Sequence, residues 1–305
     1  MSFSFETKKE LCNFVNQNAV SMRAECYGFL LFAKIFSHDK IVFNTENPYT
    51  AARFMDLMAI EFSAITEKKT ALTGKKDGQR LFTLSVPLSS DCERIFSELG
   101  HSRQSISLRI NRANIEDEAS VSAFLRGVFL CCGSVSDPKR DYHLEFSVPY
   151  NNLCSDLCRV ISEISSRGKE PRRLVRKGAF VAYIKDSEEI ADLLAFIGAP
   201  IASMSLMQEK ILKSIRNDVN RKMNSEMANI NKTAKASAVQ LEAIEKIKRL
   251  RGLDSLPDDL KSIAQLRLEN PEHSLRDLGE MLLPPISRSG ANHRMKRILE
   301  IAENI

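Results

Sequence analysis

The chain resembles itself at an offset of about 100 residues, and this repeat constrains the fold more than any single motif does. Gly28-Phe-Leu-Leu-Phe-Ala aligns with Gly127-Val-Phe-Leu-Cys-Cys, and Ile41-Val-Phe aligns with Leu144-Glu-Phe. Further on, Arg80-Leu-Phe-Thr-Leu-Ser-Val aligns with Ala179-Phe-Val-Ala-Tyr-Ile-Lys, both β-rich enough for a strand. Each copy closes on a run with helical spacing that stops at a glycine, Gly100 in one and Gly198 in the other, the residue that tolerates a left-handed helix end. The copies run from Met22 to Gly100 and from Val121 to Gly198, and each predicts helix, strand pair, helix, strand region, helix.

The first helix of each copy is almost wholly apolar, so it has no polar face to leave in water and is expected to pack against its twin. The two copies then form one pseudo-two-fold α+β domain. The alternative, that these are core helices of two unrelated domains, leaves the matched landmarks unexplained.

At 305 residues the chain is too long for one core, and two or three domains are expected. After Ser203 the character changes: Leu212, Ile215, Val219, Met223 and Met227 recur at helical intervals among polar residues. Asn217, Asn220, Asn224, Asn229 and Asn231 weaken intrinsic helicity there and suggest a bendable amphipathic linker. The expected segments are 1–21 (an N-terminal helix segment), 22–202 (the repeat domain), 203–253 (a helical linker) and 254–305 (an all-α domain).

In that last segment Pro257 suits the first position of a helix carrying Leu260, Ile263, Ala264 and Leu268, ending before Pro271. Ser274-Leu-Arg-Asp277 resembles a capping box opening a second helix, with Leu275, Leu278, Gly279, Met281 and Leu282 facing inward and Pro284-Pro285 ending it. A third helix, capped by Ser287, places Ala291, Met295, Ile298 and Ala302 on one stripe. The opposite face centres on Ser289, His293 and Lys296, with Asn292 and Arg297 on its shoulders, and no acidic residue occurs from Pro285 to Arg297. This is the layout of a helix-turn-helix whose last helix enters the major groove. Ser289, Asn292 and His293 are then candidates for base or near-base contact, Arg288, Arg294, Lys296 and Arg297 for the phosphate backbone, and the capping Ser287 belongs to the same candidate DNA-binding set. The bland alternative is a small helical bundle with a solvated basic face.

A net charge of +5 is too small to name a partner, but its distribution is informative. Besides the last helix, positive charge gathers at Arg167, Lys169, Arg172, Arg173, Arg176 and Lys177, either a second DNA contact or a solvated hairpin turn. Seven cysteines stand at irregular positions with no Cys-x-x-Cys pair or neighbouring histidine, so reduced structural thiols are expected and no metal or cofactor site. No apolar run reaches 18 residues and the first residues do not resemble a secretory signal, so a cytoplasmic, nucleoid-associated location without membrane contact is expected.

The run Phe124-Leu-Arg-Gly-Val-Phe-Leu-Cys-Cys-Gly-Ser134 resembles a degenerate LAGLIDADG homing-endonuclease motif. The resemblance implies paired helices at a pseudo-symmetric interface, with an acidic residue just before the final glycine holding a divalent metal. Here that position is Cys132, and in the first repeat Ala33, followed by Lys34 where the pattern has glycine. Neither can offer the hard carboxylate oxygen that Mg²⁺ requires. The nearby Asp39, Asp137 and Asp141 fit turn or capping roles.

A degenerate repeat pair followed by a helix-turn-helix resembles the WhiA family, and Gly133-Ser-Val-Ser-Asp-Pro138, Asn224-Ser-Glu-Met-Ala-Asn229 and Pro284-Pro-Ile-Ser-Arg-Ser-Gly-Ala-Asn-His-Arg294 sharpen the match. That resemblance implies a non-enzymatic transcription regulator acting in cell division, chromosome segregation or sporulation. Double-stranded DNA is the partner implied, with a protein co-regulator as a further one. Two competing readings are an active homing endonuclease, which needs the missing acids, and a protein- or ligand-binding scaffold on the same fold.

Overall fold

A computed structural model describes residues 2–15, 18–72, 80–104 and 107–305. Residues 1, 16 and 17 of the expected N-terminal segment and 73–79 of the first repeat lie outside the described residues. The chain divides into two compact units, Met1–Lys213 and Ser214–Ile305.

The first unit opens with α1 (Phe3–Cys12) and then runs twice through one pattern. The first copy is α2 (Ala19–Leu31), β1 (Ile35–Phe36), β2 (Ile41–Thr45), α3 (Pro48–Phe62), β3 (Glu67–Leu72), β4 (Arg80–Ser85) and α4 (Ser89–Glu98). The second is α5 (Glu118–Cys132), β5 (Gly133–Val135), β6 (Leu144–Val148), α6 (Asn151–Ile164), β7 (Arg172–Arg176), β8 (Ala179–Ile184) and α7 (Ser187–Phe196). Both sheets are antiparallel with matching order, β1-β2-β4-β3 and β5-β6-β8-β7. Phe43 pairs with Leu84 in one and Phe146 with Ala182 in the other. The strand region expected in each copy is therefore a strand pair, and α2 begins three residues ahead of Met22.

The caps are local and sequence-encoded. Asn18 accepts from the Ser21 amide at 2.7 Å, and Asn47 accepts from the amides of Tyr49 and Thr50, with Pro48 opening α3. Asp117 and Ser120 form a reciprocal box at the start of α5.

The two apolar helices α2 and α5 pack on each other at the centre of the unit. Their crossing is close because Gly28 and Gly127 stand at it: an added Cβ would lie 2.3 Å from the Phe124 carbonyl oxygen in one case and 2.1 Å from that of Glu25 in the other. A charged network is buried beside the crossing. Glu25, fully buried, accepts from Arg53 at 2.8 and 2.9 Å and from Arg126 Nε at 3.1 Å, while Arg126 Nη1 donates to the Ile197 carbonyl at 2.9 Å. A buried carboxylate needs such partners, since its desolvation without them is prohibitive.

Helix α8 (Pro200–Leu250) begins in the first unit and ends in the second. It runs unbroken through the five asparagines that suggested a bendable linker, and Leu212, Ile215, Val219, Met223 and Met227 all stand exposed on it. Ile244 and Ile247 near its end are buried with α9 (Asp258–Glu269), α10 (Leu275–Met281) and α11 (Arg288–Glu303). Leu260, Ile263 and Ala264 face this core as expected; Leu268 is half-buried. Pro257 is the cap residue rather than the first helical one, and Met281, expected inside, is 45% exposed because α10 ends there and Leu282 turns inward instead. No described helix is long and apolar enough to cross a membrane.

Candidate nucleic-acid interface

Two local devices hold α10 and α11. Ser274 Oγ accepts from the Asp277 amide at 3.3 Å while an Asp277 carboxylate oxygen accepts from the Ser274 amide at 3.0 Å, closing the capping box that the sequence suggested. Its hydrogen bonds to Ser274 hold the Asp277 carboxyl below the usual range. At Gly279 an added Cβ would lie 2.6 Å from the Ile286 carbonyl oxygen, so only glycine lets the chain entering α11 come this close. The Ile286 amide in turn donates to the Gly279 carbonyl at 2.9 Å.

Ser287 caps α11 through its hydroxyl, which accepts from the Gly290 amide at 3.2 Å, so that oxygen is engaged within the helix start. Ala291, Met295, Ile298 and Ala302 are buried, which fixes the helix's rotation. Arg288, Ser289, Asn292, His293, Lys296 and Arg297 are then exposed together, and Arg294 is half-buried. The N-terminus of α11 adds the partial positive charge of its free amides to this face.

Among the basic residues of α11 the structure separates two kinds. Arg294 Nη1 donates to the Asp259 carbonyl at 3.3 Å, and the Asp259 carboxylate lies 3.8 Å from both Arg294 Nε and Arg297 Nη1. Arg288 and Lys296 have no ionic partner among the described residues. Position on the helix suggested one shared role for all four. The acid at the start of α9 that divides them lies in a separate element and could not be seen by helical spacing.

The other basic cluster is divided more strongly. Arg167 pairs with Asp186 and Glu188, Lys169 Nζ lies 3.5 Å from Glu189, and Arg176 donates to Glu145 at 2.6 Å. Arg173 donates to Ser155 on α6, while its neighbours Arg172 and Arg176 alternate to the opposite face of the sheet. Lys177 and Gly178, both with positive φ (51° and 81°), make the tight turn from β7 to β8. Arg172, Arg173 and Lys177 have no ionic partner among the described residues, and of these Arg173 is held by Ser155.

At the ends of the central helices, Ala33 follows α2 and Cys132 is the last residue of α5. Burial pushes the Cys132 thiol well up, and Cys131 up to about 12, so both stay protonated at neutral pH. Lys8 of α1 reaches the same helix end: its ammonium donates to the Leu130 carbonyl at 3.1 Å and lies 5.9 Å from the Phe129 ring. A methyl group, protonated thiols and an ammonium do not suit a divalent cation. Asp39 accepts from the Ser37 hydroxyl at 2.6 Å and Asp137 from the Lys139 amide at 2.9 Å, both local turn bonds. Among the described residues no group of three or more His, Cys, Asp or Glu is placed to hold a metal ion.

Lys8 and the Glu25 network went unread in the sequence; Arg126, the one charged residue between Val121 and Cys132, was the available signal.

The profile of the WhiA LAGLIDADG-like domain matches residues 121–216, and that of the WhiA C-terminal HTH domain matches residues 219–302. The chain is 34% identical over 316 residues to the probable cell division protein WhiA of Clostridium botulinum, covering all of this chain and 99% of that protein. It is 36% identical over 310 residues to the protein of that name from Ruminiclostridium cellulolyticum, covering all of this chain and 98% of the other. The crystal structure of full-length WhiA from Thermotoga maritima superposes with a TM-score of 0.61 at 27% identity, covering all of this chain and 99% of that one. The crystal structure of an N-terminal LAGLIDADG domain of WhiA covers 65% of this chain with a TM-score of 0.50, at 21% identity a likeness of fold alone. The domain built on α2 and α5 is therefore LAGLIDADG-like, the region of α9 to α11 is a helix-turn-helix, and the chain belongs to the WhiA family.

Proposed function

We propose that the chain is a DNA-binding regulator acting in cell division, and in chromosome segregation or sporulation where the host has them, without nuclease activity. The observation that carries this is the face of α11: Arg288, Ser289, Asn292, His293 and Lys296 are exposed together with no acid among them, on a helix whose rotation is fixed by four buried apolar residues. Short polar groups on such a face suit base edges, and Arg288 and Lys296 suit phosphates. Arg294 and Arg297 have to leave Asp259 before they contribute, so their share is smaller. Ser287 acts through its cap, orienting the helix start. Arg172 and Lys177 are the basic residues of the repeat domain best suited to a second DNA contact.

The names of the relatives support the cell-division setting. The helix ends support the lack of nuclease chemistry, since Ala33 and Cys132 give a phosphodiester-cleaving metal no carboxylate.

The test is binding of the full chain to labelled genomic fragments over a salt series with Mg²⁺ present and products resolved on a gel. Lys296→Ala is expected to weaken binding to all sequences alike and to reduce the salt slope by about 1. Asn292→Ala is expected to cost about 1–3 kcal/mol on the preferred fragment and to relax its preference at one position. Unchanged affinity and slope in both variants would remove α11 from the interface, and cleaved product would restore the endonuclease.

A further inference from the structure

The stretch of α8 that leaves apolar groups in water is ordered in a way that one helix alone does not need. Leu212, Val219, Met223 and Ile230 are 44%, 53%, 57% and 60% exposed. With Arg216 and Glu226 they fall at successive spacings of 4, 3, 4, 3 and 4 residues, the alternation of a coiled-coil seam. Ile215 and Met227 flank that seam and are also more than half exposed.

The seam is symmetric about Arg221, which points away from it. Leu212 and Ile230 stand equally far from that midpoint, as do Arg216 and Glu226, and Val219 and Met223. Two copies of α8 laid antiparallel on a two-fold axis at Arg221 therefore form layers in which Leu212 meets Ile230, Arg216 meets Glu226 and Val219 meets Met223, each layer occurring twice. An isologous contact requires this self-complementarity. A parallel pair in register would instead set arginine on arginine and glutamate on glutamate. Neither Arg216 nor Glu226 has an ionic partner among the described residues.

We infer that this face of α8 pairs with the same face of a second copy of the chain in an antiparallel helix dimer, with Arg216 and Glu226 setting its direction and register. The paired stretch is roughly 27 Å long at 1.5 Å per residue. Two such faces bury on the order of 1,000 Å² in total, the lower edge of specific interfaces, so the association is weak, with a Kd on the order of micromolar. The inference is independent of the DNA reading of α11.

Sedimentation equilibrium of the full chain from about 1 to 200 µM, a range chosen to bracket that Kd, tests it. The chain is expected to pass from monomer to dimer. Arg216→Glu and Glu226→Arg are each expected to weaken the dimer at least about tenfold by placing like charges in one layer. The variant carrying both changes is expected to recover wild-type affinity, as is an equimolar mixture of the two single variants. All the changed positions are exposed, and far-UV circular dichroism checks that α8 stays helical. A chain that stays monomeric throughout the range overturns the inference. So does a dimer indifferent to both single changes, which uses another surface or a parallel pairing, or a loss that the double change does not repair, which means a different partner for the stripe.

Discussion

Gly127→Ala sets two simple expectations against each other. Intrinsic propensity favours alanine over glycine within a helix by about 1 kcal/mol, so a free α5 would be stabilised. The crossing with α2 opposes this, because the new Cβ would lie 2.1 Å from the Glu25 carbonyl oxygen and 3.1 Å from the Phe29 amide nitrogen. An ordinary carbon–oxygen contact is about 3.3 Å, so the helices have to separate by about 1 Å, and the obstacle is backbone rather than a side chain that can swing aside. A gap of that size forfeits about a quarter to a half of the dispersion energy along the shared face, and overpacking of this kind costs about 3 kcal/mol. The net expectation is a loss of about 2 kcal/mol, or about 4–8 °C in Tm for a unit of this size. Differential scanning calorimetry of the full chain measures it, with Ile298→Ala, which opens the helix-turn-helix core only, identifying the transition of each unit. Gly28→Ala should behave alike, and the two together should cost less than their sum, because one separation relieves both contacts. A Tm at or above wild type for Gly127→Ala would refute the reasoning and show that the crossing yields freely.

Three further outcomes are expected. Glu25→Gln leaves the guanidinium of Arg126, 2% exposed, without its counter-charge and should cost about 3–5 kcal/mol in urea denaturation; a loss below about 1 kcal/mol would mean that the network contributes little. Bonds from the Ser120 amide and hydroxyl hold the Asp117 carboxyl below its usual range, so its charge stabilises the fold at neutral pH and that contribution is lost as pH falls through the folded value. The advantage of wild type over Asp117→Asn should therefore be full at pH 6 and shrink from about pH 4 downward; an advantage that grew on acidification would reverse the sign. Ser287→Ala removes the α11 cap and should cost about 1 kcal/mol in the transition of the second unit, read by the same calorimetry.

What could be read from the sequence and what could not divide along physical lines. The inward stripe of α11 was legible because burial on one side writes a period into the sequence, and the pairing of α2 with α5 because burial on every side leaves a helix without a polar face. Edge strands β3 and β7 were not: every residue of Glu67–Leu72 and Arg172–Arg176 is exposed, so no alternation of apolar and polar marks them, and the second passed for a basic loop. Periodicity also shows that a face exists without saying whether anything covers it, as the exposed stripe of α8 makes plain. A charged residue in an apolar run shows that a buried partner is needed, but long-range charge pairing left no local trace of which residue that partner is. Glu25 and Arg126 stand 101 residues apart, and Asp259 is far enough from Arg294 and Arg297 in sequence that their shared role as free cations looked secure.

The helix ends of the repeat domain differ from a metal site by more than two missing acids. Lys8 comes from α1, outside either repeat, and reaches the end of α5 that carries Cys131 and Cys132. Burial lowers its pKa, so the carbonyl of Leu130 and the ring of Phe129 are what remain to hold its ammonium there. On the α5 side a divalent ion thus meets a lysine amine and no carboxylate oxygen. On the α2 side Ala33 is followed by exposed Lys34, a further positive charge near the same end. A divalent ion is opposed at these ends by positive charge as well as by the lack of oxygen ligands.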